Sequence, residues 1–293
     1  MRIALVLTQR RDSGNWDPAG YAAAQVIAER YGFALNVIED VSFDQSAEVF
    51  SDQARSGAEL VIGHASDYAE PMVEVARDFP GTKFGIFSYI TSTGDLLNVA
   101  GWTVSWNEVE FLTGVVAGLA SQNRHMGTIR GVELVPAEFA LGNLIKGARF
   151  VSPEIKVEVE HITDWNDLEG ARSATHRLAD LGVDVVYPAA DSADAAVQAA
   201  CEELGLLTFG EYLDEGAKHP AAIITSFLVN EQRAYDEMGE MLAADDWRPG
   251  IRTMNAATGD IRFTQFRNVS DDLPRRFEEI YRDVASGTIS IGA

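Results

Sequence analysis

The chain has a single cysteine, Cys201, set in "AAVQAACEELG". An intramolecular disulfide is excluded, and the helical setting favours a small buried thiol over a nucleophile. The five histidines (His64, His125, His161, His176 and His219) are scattered, with no HxxxH or CxxC spacing. No metal site is expected from them. No apolar run approaches the roughly 18 residues of a membrane-spanning helix, so no transmembrane segment is expected. Positive charge is scarce too. Lysine and arginine total 23 against 45 acidic residues, giving a net charge of −22, and only four of the 23 are lysine. Such a surface repels phosphate backbones, so neither nucleic acid nor an anionic membrane is an expected partner. No Walker or GxGxxG pattern offers a phosphate cradle.

The chain has 293 residues, room for two lobes, and its 46 % hydrophobic and 23 % charged residues are ordinary for a globular protein. The opening "MRIALVLTQRR" holds an apolar run of five residues before a polar stretch. A secretory leader needs about 7–15 apolar residues and a small-residue cleavage site, so this run reads as a buried strand. Localisation stays open between a cytoplasmic protein and a mature exported form.

Apolar, β-branched runs alternate with segments of helical period. Strands are predicted at 3–7, 33–38, 59–64, 83–88 and 98–104, with helices at 18–31, 45–56, 68–79 and 107–121 between them. Asp44 is read as an N-cap for the second helix, Asp17 for the first and Asp67 for the third. The rhythm restarts with strands at 126–134, 156–162, 184–189, 206–210 and 221–226, and helices at 137–150, 166–181 and 193–204. Near-continuous apolar strands between helices predict parallel sheets covered on both faces. The fold class is α/β with two doubly wound lobes. Lobe one is expected to comprise 1–122 plus about 227–258, and lobe two 123–226 plus about 259–293. The helix-rich segment after 226 is expected to cross back to lobe one, with "GDIRFTQF" and a last helix, 272–286, near a hinge.

In open α/β sheets ligands bind beyond the carboxyl ends of strands. The residues at those positions are Asp12, Ser13, Gly14, Asn15 and Trp16 after the first strand, then His64, Ser66, Asp67 and Glu70, then Trp106 and Asn107. In lobe two they are Glu138, Phe139 and Asn143, then Asp191 and Ser192, then Glu211, Tyr212 and Asp214. This set is acidic, amide-rich and aromatic. It suits a flat, neutral or weakly basic ligand, stacked by rings and paired along its polar edges. The expected binding residues are Asp12, Asn15, Trp16, Asp67, Glu70, Trp106, Phe139, Asn143, Asp191, Glu211 and Asp214. His64 reads rather as a satisfied structural histidine. Ser66, His64 and Asp67 are too close in sequence to adopt the geometry of a catalytic triad. No catalytic residue and no cofactor is assigned.

Several long segments, among them "ELVIGHASDYAEPMVEVARDFPGTKFGIFS", "NVAGWTVSWNEVEFLTGVVAGLAS" and "GARSATHRLADLGVDVVYPAADSADAAVQAACEELGLLTFGEYLDEGAKHPAAIITSFL", resemble the basic membrane protein family. These are substrate-binding proteins of ABC transporters, similar to purine nucleoside receptor lipoproteins. The resemblance implies a type I periplasmic-binding-protein fold with three crossings between the lobes. It also implies a purine nucleoside or nucleobase such as adenine in the cleft, hinge closure upon it, and an ABC permease as partner of an exported form. "DSGNW" (12–16) looks like the family's loop after the first strand, and Glu70, Asp191, Glu211 and Asp214 match its acidic rim positions. The chain departs from the family in the Gly-Asn-Trp-Asp order of that loop, in "PAEFALGN" after strand 126–134, and in a late segment reduced to "ATGDIRF". A lipobox cysteine is absent from the sequence. Two further functions fit the same residues: a cytoplasmic purine-sensing regulator, and a nucleoside-processing hydrolase or phosphorylase.

Overall fold

The structure, a computed structural model, describes residues 1–131 and 137–291, and of residues 137–139 the backbone alone. The expected end of one strand at 132–134, and the side chains of Glu138 and Phe139, lie outside the described residues. The chain groups into two compact units, Met1–Val104 with Asn230–Met254, and Ser105–Val229 with Asn255–Ala293. It therefore passes from one unit to the other three times.

The first unit is built from β1 (Arg2–Val6), α1 (Trp16–Tyr31), β2 (Ala34–Ile38), α2 (Phe43–Arg55), β3 (Leu60–Gly63), α3 (Ala69–Ala76), β4 (Lys83–Ser88) and β5 (Val99–Val104). The second contributes α4 (Trp106–Ala120), β6 (His125–Arg130), α5 (Ala137–Val151), β7 (Lys156–His161), α6 (Leu168–Asp180), β8 (Val185–Ala189), α7 (Asp194–Leu204), β9 (Leu207–Glu211) and β10 (Ile223–Val229). The chain then supplies α8 (Glu231–Ala243) and β11 (Gly250–Met254) to the first unit, and β12 (Ile261–Phe263) and α9 (Leu273–Ala285) to the second.

Each unit holds one sheet of six strands, in the orders β11-β5-β4-β3-β1-β2 and β12-β10-β9-β8-β6-β7. Every pairing is parallel except β10 with β12. This is the α/β architecture predicted from the alternating runs. In both sheets the strand order reverses beside the unit's first strand, between β1 and β3 and between β6 and β8. Such a reversal opens a crevice at the carboxyl ends of the two strands, because the connections leave on opposite faces.

The strands are apolar on both faces, as a covered parallel sheet requires. Leu60, Val61 and Ile62 are fully buried, and Val61 packs in the first core with Val6, Phe84 and Val99 and with Phe50 and Tyr68 from the flanking segments. The second core gathers Ile129, Val186, Leu178, Val197 and Cys201. Burial pushes the Cys201 thiol up to about 12, which fits the inert role read from its helix. Helix α4 is buried along most of its length and lies against α5 almost backbone to backbone. A Cβ on Gly147 would fall 1.9 Å from the Phe111 carbonyl oxygen, and one on Gly114 would fall 2.1 Å from that of Leu144. Gly147→Ala is accordingly expected to cost about 1–3 kcal/mol, read as a lower midpoint in urea unfolding, because the obstacle is backbone and cannot rotate away. Among the described residues no helix is long and apolar enough to cross a membrane.

Several local readings are corrected. Helix α2 starts at Phe43, and its N-cap is Ser42, whose N–H is held by the Gln45 side chain at 3.1 Å; Asp44 lies inside the first turn. The predicted helix 68–79 is a 3-10 turn, Ser66–Tyr68, followed by the shorter α3, and Asp67 makes no side-chain cap bond. Asp17 lies within α1, one residue past its start. Strand β11, "GIRTM", lies just past the helix-rich segment and is not among the predicted strands. It has little apolar content, because it is an edge strand paired only to β5.

Candidate functional site

At the reversal point of the first unit, the loop after β1 meets the loop after β3. Asp17, fully buried, fastens the first of these loops. Its carboxylate accepts from Thr8 N–H at 3.3 Å, the Thr8 hydroxyl at 3.0 Å and Gln9 N–H at 3.0 Å. Arg11 ties the loop to Glu39 by two side-chain bonds, 2.9 and 2.8 Å, and these hold the Glu39 carboxyl down at about 2. With both anchors made, the chain enters α1 at Trp16 in a fixed direction.

Trp16 is half-buried and held at both ends. Its indole N–H donates to the His64 carbonyl at 2.9 Å, and its ring stacks on the His64 ring at 4.5 Å, 26° from parallel. His64 in turn lies nearly parallel to Phe87 at 5.2 Å. The His64 ring is wholly buried and bonded through both nitrogens. Nε2 is 3.1 Å from the Trp16 carbonyl, which can only accept, so Nε2 carries the proton. Nδ1 is then the acceptor for the Tyr235 hydroxyl at 2.8 Å. Burial lowers the His64 pKa to about 3, so this tautomer is neutral at ordinary pH. Gly20 makes the approach possible: a Cβ there would stand 2.5 Å from the imidazole. His64 is thus the satisfied structural histidine that the sequence indicated, and what it supports is Trp16. Glu231, at the start of α8, is buried beside Asp17. Burial first, and the Asp17 charge second, push its pKa well up.

The reversal point of the second unit is polar rather than aromatic. Arg130, the last residue of β6, donates from Nη2 to Glu110 Oε1 of α4 at 2.9 Å, with side chains only 11 % and 7 % exposed. Glu211, the last residue of β9, is buried with Tyr187 and Asp194. Burial, and then the neighbouring acid, push the Glu211 pKa well above the usual carboxylate range, and Asp194 is raised likewise by burial and by Asp191. Asp194 also accepts the Ala190 N–H at 2.9 Å, holding the turn between β8 and α7. Asp191 in that turn has φ +48°, a left-handed conformation that costs a non-glycine residue energy. Among the described residues no three His, Cys, Asp or Glu side chains are grouped to hold a metal ion.

The predicted site residues fall as follows. Asn15 is buried at the N-cap position of α1, next to Trp16. Asp67 is half-buried, its carboxyl raised by that burial, and Glu70 is exposed on the first turn of α3. Asp12 is exposed and paired with Arg10 at 3.0 Å. In the second unit, Asn143 donates to Asn107 at 2.9 Å, and Trp106 meets Tyr212 edge-on at 6.4 Å. Asp191 and Glu211 come together around Asp194, whereas Asp214 is exposed, 3.6 Å from Arg267. Phe139 lies outside the described side chains.

Sequence reasoning missed Glu110, Arg130, Tyr187, Asp194, Glu231 and Tyr235. Asp194 stands in "AADSAD", three residues after Asp191. Arg130 falls inside the strand predicted at 126–134, so the pattern does not mark it as a strand end.

A sequence profile described as ABC transporter substrate-binding protein PnrA-like matches residues 2–293. The transcriptional activator protein med of Bacillus subtilis (strain 168) is 25 % identical over 269 residues, spanning 91 % of this chain and 83 % of that protein. A purine-binding protein of Brucella abortus (strain 2308) is 25 % identical over 258 residues, spanning 88 % and 71 %. Among solved structures, an ABC transporter solute-binding protein from Aeropyrum pernix K1 superposes with a TM-score of 0.90 at 17 % identity, over 99 % of this chain and 92 % of the other. That likeness shows the type I periplasmic-binding-protein fold.

Proposed function

Since the chain belongs to the PnrA-like family of ABC transporter substrate-binding proteins, we propose that its ligand is a purine, base or nucleoside, which it captures by hinge closure without chemical change and delivers to a permease. The observation that carries this reading is the Trp16 assembly. A half-buried indole at the reversal point of a doubly wound sheet is locked by His64, Phe87 and Tyr235 into one orientation. A ring fixed in advance stacks on a flat heterocycle with little loss of side-chain entropy. The purine-binding relative from Brucella supports the same ligand class. Asn15, Asp67 and Glu70 in the first unit, and Asn143, Asp191 and Glu211 in the second, are the proposed polar contacts, with Trp106 and Phe139 as further rings.

Incubation with purine nucleosides tests the non-enzymatic part. The expected result is unchanged nucleoside together with a raised unfolding temperature, since a ligand that binds only the folded state stabilises it. Release of free base would replace the receptor with a nucleoside-processing enzyme.

A second reading has its own support. The relative from Bacillus subtilis is named a transcriptional activator, so the same purine capture could serve a regulatory partner. Affinity capture of the native protein with its ligand present separates the two: recovery of a membrane permease supports transport, and recovery of a regulator supports sensing.

A further inference from the structure

The chain changes units between Val104 and Ser105, between Val229 and Asn230, and between Met254 and Asn255. Each crossing is short. Ser105 alone separates β5 from α4, Asn230 alone separates β10 from α8, and Asn255 follows β11 directly. Ser105 (φ −75°, ψ 73°) and Asn230 (φ −83°, ψ 64°) share the backbone conformation of an inverse γ-turn, outside both helix and strand. On both sides of the first and third crossings the chain is fastened. In the first unit β5 and β11 run parallel up to the partners Val104 and Met254. In the second unit the Glu108 carboxylate of α4 accepts the Ala256 N–H at 2.7 Å.

That bond is not the one the local sequence suggests. A serine three residues before a glutamate, Ser105 and Glu108, is the pattern of a capping box, in which the glutamate returns to its own helix start. Ser105 makes no side-chain cap bond, and Glu108 reaches the other crossing instead. The segment it reaches is stiff. Asn255 and Thr258 exchange two hydrogen bonds of 2.9 Å, and the Ala256 carbonyl accepts the Gly259 N–H at 3.0 Å. Ala256 is buried, so its N–H has no solvent to fall back on.

We propose that Glu108 is the clamp of the hinge. It binds the first and third crossings into one two-chain ribbon, with Ser105 and Asn255 as single-residue pivots and Asn230 as the third. A lone chain can bend and twist about several axes. Two chains held side by side above and below their pivots bend together, and twist is resisted. Hinges of this kind use a few residues at element ends to absorb the backbone change. The inference shares the hinge motion with the reading above and does not depend on the ligand.

The test is a spin-label distance measurement between the units, with no ligand added. Labels go on Asp44→Cys in α2 and Glu169→Cys in α6, both exposed positions, while the native Cys201 is buried and does not react. Glu108→Ala is expected to broaden the distance distribution at least about 1.5-fold, because the two crossings then bend separately. Glu108→Gln keeps an oxygen for the Ala256 N–H and should hold the native width. Urea unfolding of each labelled protein shows that it is folded. An alanine variant of native width, or a glutamine variant as broad as the alanine one, overturns the proposal. Should Glu108→Ala fail to fold, Ser105→Pro decides: proline adopts a φ near −75°, so it stiffens a pivot and should narrow the distribution, and a native width overturns the proposal. Because no purine is present, none of these outcomes bears on the ligand.

Discussion

Trp16→Ala is expected to weaken purine binding by about 1–3 kcal/mol, roughly ten- to hundredfold in Kd, the usual worth of one aromatic–base stack. The effect should sit at the upper end, because the indole is oriented before the ligand arrives. Its N–H is bonded to the His64 carbonyl at 2.9 Å, and the ring lies on an imidazole that is itself pinned by Tyr235. Trp16→Phe should fall between native protein and the alanine variant, since it keeps a stacking face and loses the N–H bond. Calorimetric titration of the three proteins measures the series, and an alanine variant with native affinity removes Trp16 from the site.

The second large effect is a pH dependence of stability, with His64 as its source. The imidazole titrates near 6.5 when the chain is unfolded, and burial lowers it to about 3 in the fold. Its folded pKa is depressed, so protons favour the unfolded state. The contribution of a neutral His64 is complete above pH 6.5 and is lost as pH falls toward 3, at about 1.4 kcal/mol per pH unit, several kcal/mol in all. Glu211, Asp194 and Glu231 act in the opposite sense. Their folded pKa values are raised, so their contribution is present below about pH 4 and is lost as pH rises through those values. Urea unfolding of native protein and of Glu211→Gln at a series of pH values separates the two: the variant should lose more stability than the native protein on going from neutral to acid pH. Imidazole nitrogen NMR checks His64 directly. Its Nε2–H tautomer should persist at pH 5, where exposed histidines are protonated, and a midpoint near 6.5 would contradict the buried-neutral assignment.

Much of the architecture was legible because it is written in local pattern. The runs 3–7 and 60–63 are apolar without alternation, as strands covered on both faces are. Their two series gave the two sheets. Strand β11 escaped because an edge strand need not be apolar: only Met254 of its five residues is buried. The caps failed for a related reason. Asp17 looks like a helix starter, and it instead uses its carboxylate on the preceding loop, whose position is set by the sheet, as Asp194 does for the turn before α7. At the candidate site, Trp16 was conspicuous because an aromatic ring in a polar loop has no local purpose. What holds it was not, since His64, Phe87 and Tyr235 come from three distant segments that only the fold assembles. The Glu110–Arg130 pair was invisible for the same reason: its members are twenty residues apart on a helix and a strand.

The central claim is a purine gripped at the Trp16 rim. Native mass spectrometry of the protein purified under gentle conditions tests it most directly. The account predicts a bound mass equal to a purine base or nucleoside, displaced by an excess of adenosine or inosine. A chain that carries a sugar or another non-purine instead, and that shows no mass shift with any added purine, would contradict it.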